Sequence, residues 1–304
     1  MKAFIRRLSI RERKNYIYSI IYALFSFFHI LLTKTILYNS KITYLTLITL
    51  TGSLLIMMSF YRIFRSFKKF QIIKKEGKEI NFAEGFNSFI SYFCSIAALD
   101  STSLTNVIFI DHLFPILLFF NRSISKTENI SSHQLASFII YIFCFLFIFI
   151  PALYKDPGPG VVLYLLSVIF KFAANKYGHN SKDMDVDLLM LNIGFYNVVI
   201  GGILMVIWFD QVEIFGKLIW FLILLNALTS YVMKIFLNKV LKGNNNEQNL
   251  MILNIIIMIF AVPIDYYFFK QIFYYNYLVL LFSSVEIFFF YKYIKKVIKA
   301  GNNI

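Results

Sequence analysis

The sequence has little of what metal binding, disulfide formation or enzyme catalysis requires. Its 304 residues include two cysteines and four histidines, and these do not occur at the spacing of a metal site. Cys94 and Cys144 each fall inside an apolar run, so no disulfide is expected. The chain also has no glycine-rich phosphate-binding loop and no exposed nucleophile motif. These absences predict a protein that is not an enzyme, needs no cofactor or metal, and has no ATPase of its own.

Charged residues are also few, and apolar residues dominate. Charged residues make up 15% of the chain and hydrophobic residues 59%, with a mean hydropathy of +0.69. Apolar runs of about 20 residues recur along the chain, and each is long enough to cross a bilayer. The first run starts near Asn15 and is too long for a cleaved signal peptide, so we interpret it as a retained span. The sequence therefore predicts an all-α membrane protein with no separate soluble domain.

The runs divide into ten predicted spans, and the basic residues test this division. The spans cover roughly 16–37, 43–61, 82–99, 101–120, 132–150, 160–178, 187–208, 217–238, 248–268 and 275–291. Twenty-four of the 30 Lys and Arg residues fall at the termini or on the same side as the termini. The opposite loops hold only Lys34, Lys41, Lys155, Lys217 and Lys270, and Lys234 lies inside span 8. By the positive-inside rule both termini are predicted to be cytoplasmic.

The same distribution predicts where the protein resides. The formal net charge of +14 lies in short loops and at the termini, so it is expected to meet anionic lipid headgroups and not nucleic acid. We expect a multi-pass protein of the plasma membrane, which would be a bacterial inner membrane.

A proline-rich linker divides the chain into two halves. The segment PALYKDPGPG, residues 151–160, holds three of the five prolines and separates residues 1–150 from residues 161–304. Each half contains five spans, and an odd number places the second half in the membrane in inverted orientation. The other two prolines, Pro115 and Pro263, fall in spans 4 and 9, which are equivalent in such a repeat. The segments HILLTK (29–34) and KFAANK (171–176) also share a polar residue and a terminal lysine.

Span 4 contains polar residues that are costly in a membrane. Its sequence, SLTNVIFIDHLFPILLFF, places Asp111 near the middle, where a charge costs about 2.5–3.5 kcal/mol. Pro115 cannot donate a hydrogen bond to the Asp111 carbonyl, and free backbone at this depth is tolerated where it lines a cavity. These features predict a substrate path at Asp111, with Pro115 and Pro263 as flexible points. The alternative is an Asp111 that pairs structurally with His29 or Lys171.

Other polar side chains lie at a similar depth in spans that would surround a cavity. The predicted substrate-binding set is His29, Tyr92, Asp111, Lys171, Asn226 and Tyr231. His29 could carry a proton or be a buried structural imidazole. Lys171 could face the cavity or extend toward the cytoplasm. The two tyrosines could offer rings with polar tips or simply pack.

Several further residues receive structural interpretations. Glu84 and Asp265 lie near span ends and are expected to be solvated. Glu286 lies in the middle of span 10, where it would serve a helix contact or a homodimer through spans 5 and 10. The glycines of span 7, which are Gly194, Gly201 and Gly202, are expected to allow close helix packing.

Three segments support a family resemblance. They are AALDSTSLTNVIFIDHLFPILLFFNRSIS (97–125), HQLASFIIYIFCFLFIF (133–149) and YLLSVIFKFAANKYGHNSK (164–182). They resemble the drug/metabolite transporter superfamily in its EamA-type branch, across nearly the whole chain. Asn121 stands where that family often has an acidic residue, and Glu84 where it often has a basic one. The resemblance implies ten helices around a central cavity, with spans 1, 3, 4, 6, 8 and 9 lining it and spans 5 and 10 at the periphery.

The sequence thus predicts a secondary transporter in the lipid bilayer. Its expected partner is a small polar or zwitterionic metabolite, similar to an amino acid or to the cationic S-adenosylmethionine, moved by rocking of two inverted halves. Asp111 could bind that solute or couple transport to protons. A membrane-embedded binding or assembly protein without transport is the alternative, and an intramembrane enzyme is a more distant one.

Overall fold

The described part of the chain is entirely helical apart from short connections. The computed structural model describes residues 10–65, 82–118, 139, 159–179, 186–208, 215–241 and 246–269, and these ranges contain no strand. Their helices are α1 (Ile10–Asn39), α2 (Tyr44–Arg65), α3 (Phe82–Ser101), α4 (Leu104–Asp111), α5 (Pro159–His179), α6 (Val186–Ile207), α7 (Lys217–Leu241) and α8 (Asn246–Tyr267). Predicted span 10, predicted span 5 apart from residue 139, Cys144, Glu286 and residues 151–158 of the linker lie outside the described residues.

Four of these helices are long and apolar enough to cross a membrane. They are Ile17–Asn39, Tyr44–Arg65, Val186–Ile207 and Lys217–Val240. A helix of 22 residues is about 33 Å long, which matches the hydrocarbon thickness of a bilayer. Large apolar side chains on these helices point outward, including Phe64 at 70% exposure and Val206 at 75%. Exposure of such a large apolar surface is unfavourable in water but not in the hydrocarbon region of a bilayer. The described residues are therefore those of an all-helical membrane protein, with candidate spans at the predicted positions 1, 2, 7 and 8.

The helices pack in a few extensive pairs. Helix α2 packs against α6, α1 against α7, and α3 against α5, while α8 contacts α1 and α4. Glycines permit the close approach of α2 and α6. A Cβ atom on Gly52 would lie 3.0 Å from the Gly194 carbonyl oxygen, and one on Gly194 would lie 2.8 Å from the Gly52 carbonyl oxygen. Gly201 is similarly close to Thr49, but a Cβ on Gly202 would meet nothing within 4 Å. The close-packing interpretation therefore fits Gly194 and Gly201 and fails at Gly202.

Helix α4 ends where the sequence predicts a break. Its last residue is Asp111, His112 forms a turn, and helical structure resumes from residue 113 to 118. Pro115 causes the interruption, because it has no N–H to donate to the Asp111 carbonyl and its ring crowds that carbonyl. Pro263 behaves differently. It lies on the exposed side of α8, which continues through it without interruption.

Asp265 and Glu84 are not solvated, so that expectation was wrong. The Asp265 side chain is fully buried on α8, and Glu84 on α3 is only 4% exposed. Asp265 accepts hydrogen bonds from the Leu104 N–H at 2.9 Å, the Thr105 N–H at 2.7 Å and the Thr105 hydroxyl at 2.5 Å. The first N–H groups of a helix have no partner within it, and the helix dipole favours an anion there. Asp265 is buried because it caps the start of the neighbouring helix α4. A division of the sequence into spans does not show which helix ends lie next to each other.

Two polar clusters mark opposite ends of the bundle. At one end Lys34 of α1, assigned to a loop by the sequence, is buried and donates to the carbonyls of Leu99 at 3.3 Å and Thr102 at 2.5 Å. It also interacts electrostatically with Asp265, so the cluster at this end includes Asp265 and the start of α4. At the other end Arg62 of α2 approaches Asp187 of α6. The ends are opposite because α1 and α2 are joined by a short turn and run antiparallel.

Candidate functional site

A polar cavity lies inside the bundle between the two end clusters. It has a volume of about 100 Å³ and is lined by residues of α1 to α7. Its wall includes the serine residues Ser26, Ser88, Ser91, Ser95, Ser167 and Ser230. A cavity needs roughly 10–15 Å³ to hold one water, so this one can hold several waters or a small solute. The polar side chains in this otherwise apolar wall distinguish the cavity from the dry voids of an apolar core.

An ion pair between α4 and α5 lies in the wall of this cavity. The Lys171 ammonium donates a hydrogen bond to Asp111 Oδ1 at 2.7 Å, and both side chains are mostly buried. The same ammonium lies 4.5 Å from the centre of the Phe114 ring. The break before Pro115 places the Asp111 carboxylate at the end of α4. Two predicted site residues therefore meet, in the pairing that the sequence analysis named as the structural alternative for Asp111.

His29, Tyr92 and Asn226 form a second polar group beside the cavity. The rings of His29 and Tyr92 stack with centroids 5.8 Å apart, and both residues line the cavity. Asn226 lies behind them and donates to the Tyr92 hydroxyl at 3.3 Å, while Thr33 donates to the Asn226 side-chain oxygen at 3.2 Å. His29 Nδ1 is buried and makes no hydrogen bond within the described ranges. Asn226 thus holds Tyr92 in place and is not itself part of the cavity wall.

Tyr231 lies outside the cavity wall. Its hydroxyl donates a hydrogen bond to the buried Asp187 carboxylate. Arg62 Nε lies 3.3 Å from the same carboxylate, and its guanidinium is 5.5 Å from the centre of the Tyr231 ring. Tyr231 therefore belongs to the end cluster of α2, α6 and α7. Pro263, the second predicted hinge, is also absent from the cavity wall.

Lys234 and Asn197 are among the cavity residues that were not identified as site residues from the sequence. Lys234 on α7 lines the cavity, and so does Asn197 on α6, which is 1% exposed and has an unpaired side-chain oxygen within the described structure. A signal for Lys234 was present, because it was the one basic residue that the loop assignment left inside a span. The sequence contained no comparable signal for Asn197, because several other asparagines also lie within the predicted spans. The serines likewise have no distinguishing spacing.

The described residues contain no group that could hold a metal ion. No three His, Cys, Asp or Glu side chains come together within these ranges. Cys94 is buried on α3 with a free thiol.

Comparison with known proteins supports the fold and nothing finer. No family model and no curated protein matches the chain. Twelve chains of solved structures do match it. One of them, described as "Crystal structure of protein", has a TM-score of 0.63 and 10% sequence identity, and the match covers 87% of this chain and 95% of that one. At such low identity the match shows a shared fold alone.

Proposed function

We propose that this protein is a secondary transporter that moves a small polar or zwitterionic organic metabolite across the plasma membrane by alternating access. The main support is the polar cavity with the Asp111–Lys171 pair in its wall. Ionisable residues within membrane helices are costly, and those that occur usually face a substrate path or a partner. A purely structural bundle would gain more from apolar packing at this position.

The packing of the helices supports two inverted halves. The two halves can be compared by exchanging α1 with α5, α2 with α6, α3 with α7 and α4 with α8. This exchange turns the α1–α7 contact into the α5–α3 contact and the α1–α8 contact into the α5–α4 contact, and both resulting contacts are present. The exchange leaves the α2–α6 contact unchanged. In agreement with this symmetry, Gly52 of α2 lies against the Gly194 carbonyl of α6, and Gly194 lies against the Gly52 carbonyl. This pattern is expected of ten spans in two five-span repeats, residues 1–150 and 161–304, joined by 151–160. The proposal also retains the resemblance to EamA-type drug/metabolite transporters, with both termini in the cytoplasm.

The two end clusters support alternating access because each joins the proposed halves. Asp265 of the second half caps α4 of the first half. At the opposite end Arg62 of the first half pairs with Asp187 of the second half. Rocking of the halves would open one of these clusters at a time and expose the cavity to one side of the membrane.

The test is transport by the purified full-length chain in proteoliposomes, measured against a panel of radiolabelled amino acids, organic acids and organic cations. Solute-specific, saturable uptake above empty liposomes is the expected result. Asp111→Asn should lose that uptake, and Asp100→Asn, at an exposed position of α3, is the matched control. Saturable binding without any flux would assign the chain instead to membrane-embedded binding proteins, and the transporter proposal would fail.

A further inference from the structure

Lys234 is a charged residue of the cavity wall to which the sequence analysis gave no role. It lies on α7 and lines the cavity together with Ser230 and Met233 of the same helix. Within the described part of the chain its ammonium forms no hydrogen bond and no ion pair. Glu84 is near enough to interact electrostatically, but it does not line the cavity and forms no ion pair with Lys234.

The charges of the cavity wall do not balance. Its charged residues are Asp111, Lys171 and Lys234. Lys171 pairs with Asp111 at 2.7 Å, and the carboxylate that interacts electrostatically with Lys234 is that of Glu84, which lies outside the wall. Within the described residues, the wall itself therefore gives the Lys234 ammonium no anionic partner. An ammonium group at this depth is unfavourable unless hydrogen-bond acceptors or an anionic ligand complete its contacts. Part of the wall next to Lys234 is therefore suited to an anionic group.

A second observation concerns the other polar atoms of the wall. Asn197 lines the cavity, and its side-chain oxygen is buried and accepts no hydrogen bond within the described structure. A buried acceptor without a donor costs free energy, so a ligand that brings a donor would be favoured. Ser230 and Ser88 in the same wall can donate or accept.

We infer that Lys234 is the anion-binding residue of the cavity, and that the ligand is a small organic carboxylate that also bears a hydroxyl or amino group. The carboxylate meets the Lys234 ammonium, and the hydroxyl or ammonium donates to Asn197. The inference rests on the proposed function for its biological meaning and names the substrate class of that same cavity. It excludes organic cations that lack a carboxylate. The volume of about 100 Å³ favours a solute with few non-hydrogen atoms.

The first experiment uses pairs of solutes that differ only at the carboxylate. Thermal unfolding of the detergent-purified full-length chain would be followed with L-lactate against L-lactamide and with L-alanine against L-alaninamide, at constant ionic strength. The carboxylates should raise the unfolding midpoint in a saturable way and the amides should not. Equal effects of acid and amide, or no effect of either acid, would overturn the inference. This comparison needs no variant, so it does not depend on how a substitution folds.

Variants of the lysine then identify the residue. Lys234→Met should weaken the apparent affinity for the carboxylates at least tenfold, and Lys234→Arg should preserve most of it because the positive charge is kept. Lys239→Met is the control on the same helix, where the ammonium lies 5.0 Å from the ring centres of Tyr18 and Phe236 and outside the cavity wall. Unchanged carboxylate binding in a folded Lys234→Met protein would also overturn the inference.

The same variants in proteoliposomes separate the two proposals. Lys234-dependent binding of carboxylates without any flux would leave the inference intact and remove the transporter proposal. If neutral or cationic solutes are transported at the same rate by the wild type and by Lys234→Met, the transporter proposal would stand and the inference about Lys234 would be wrong.

Discussion

Lys171 and Asp111 are 60 residues apart in sequence, and their side chains meet at 2.7 Å across the α4–α5 contact. The pair joins the two proposed halves of the chain inside the cavity wall. Separation of the halves during transport would stretch or exchange this contact. If the proposed transport occurs, a charged solute in the cavity would compete for one member of this pair, and the pair would hold the two halves together when no solute is bound.

Asp111→Asn should reduce transport at least tenfold while the protein still inserts and folds. Asn keeps the size and an acceptor oxygen for Lys171, but a charge-assisted hydrogen bond worth about 1.5–3 kcal/mol is lost. Initial uptake rates in proteoliposomes would be compared with protein content and with monodispersity on gel filtration. A proton-coupling carboxylate would leave solute exchange intact in the Asn variant, and a solute-binding carboxylate would lose both exchange and net uptake. Wild-type uptake in Asp111→Asn would defeat the central role given to this residue.

Lys171→Ala should impair transport more than expression. The variant leaves the Asp111 carboxylate buried without its cation, so stability should also fall, by about 3–5 kcal/mol where no new partner forms. The double variant Asp111→Asn/Lys171→Met removes both charges and should regain stability without regaining transport. Thermal unfolding and uptake would be measured on the two single variants and the double variant, with Lys41→Ala as an exposed lysine control. Strictly additive losses of stability would show that the two side chains are not coupled.

The sequence predicted the membrane class and the position of Asp111 because both depend on chemistry along one helix. An apolar run makes any charged residue within it conspicuous, and a proline four residues later predicts the break of α4. His29, Tyr92 and Lys171 were found by the same depth argument, and the structure brings these residues to one cavity.

The residues that the sequence placed wrongly depend on helix rotation and on neighbouring helices. The cavity face of α7 comprises Ser230, Met233 and Lys234, which follow the spacing of one helix face. Tyr231 is one residue beyond Ser230, about 100° around the helix, and therefore faces Asp187 instead. The position of a residue along a span gives its depth in the membrane, but it does not tell which face of the helix points to the cavity. Asp265 was misplaced for a related reason, since its partners belong to the start of a helix 160 residues earlier in the chain.

The glycines of α6 offer a matched pair of substitutions. Gly194→Ala should destabilise the protein, because the new Cβ would lie 2.8 Å from the Gly52 carbonyl oxygen and 2.9 Å from Ile56 Cγ1. Crowding of this kind typically costs about 1–3 kcal/mol. Gly202→Ala should be neutral or slightly stabilising, because nothing lies within 4 Å and alanine favours helix. Thermal unfolding in detergent would compare the two. Equal effects would contradict the close α2–α6 approach.

Reporter fusions can test the proposed topology. A fusion after Ile304 should report the cytoplasm and a fusion within 151–160 the opposite side, because basic residues concentrate on the side of the termini. Each position would be fused in turn to two reporters. One reporter is active only in the cytoplasm, and the other is active only outside it. Both positions on the same side would contradict the division into five plus five spans.

Asp265→Ala should destabilise the start of α4 and weaken the contact between α4 and α8. The carboxylate accepts from the Leu104 N–H and from both the N–H and the hydroxyl of Thr105. Loss of a charge-assisted contact costs about 1.5–3 kcal/mol, and here the donors stay buried without an acceptor. Asp265→Asn should cost less, since its one side-chain oxygen can still accept from a backbone N–H. Thermal unfolding would rank Asp265→Ala below Asp265→Asn. Asp100→Ala is the control at an exposed position, where loss of the hydrogen bond from the Tyr44 hydroxyl should cost less than loss of the buried cap. Hydrogen exchange at Leu104 and Thr105 should rise in the same order, and unchanged exchange in Asp265→Ala would show that the cap does not stabilise this helix start.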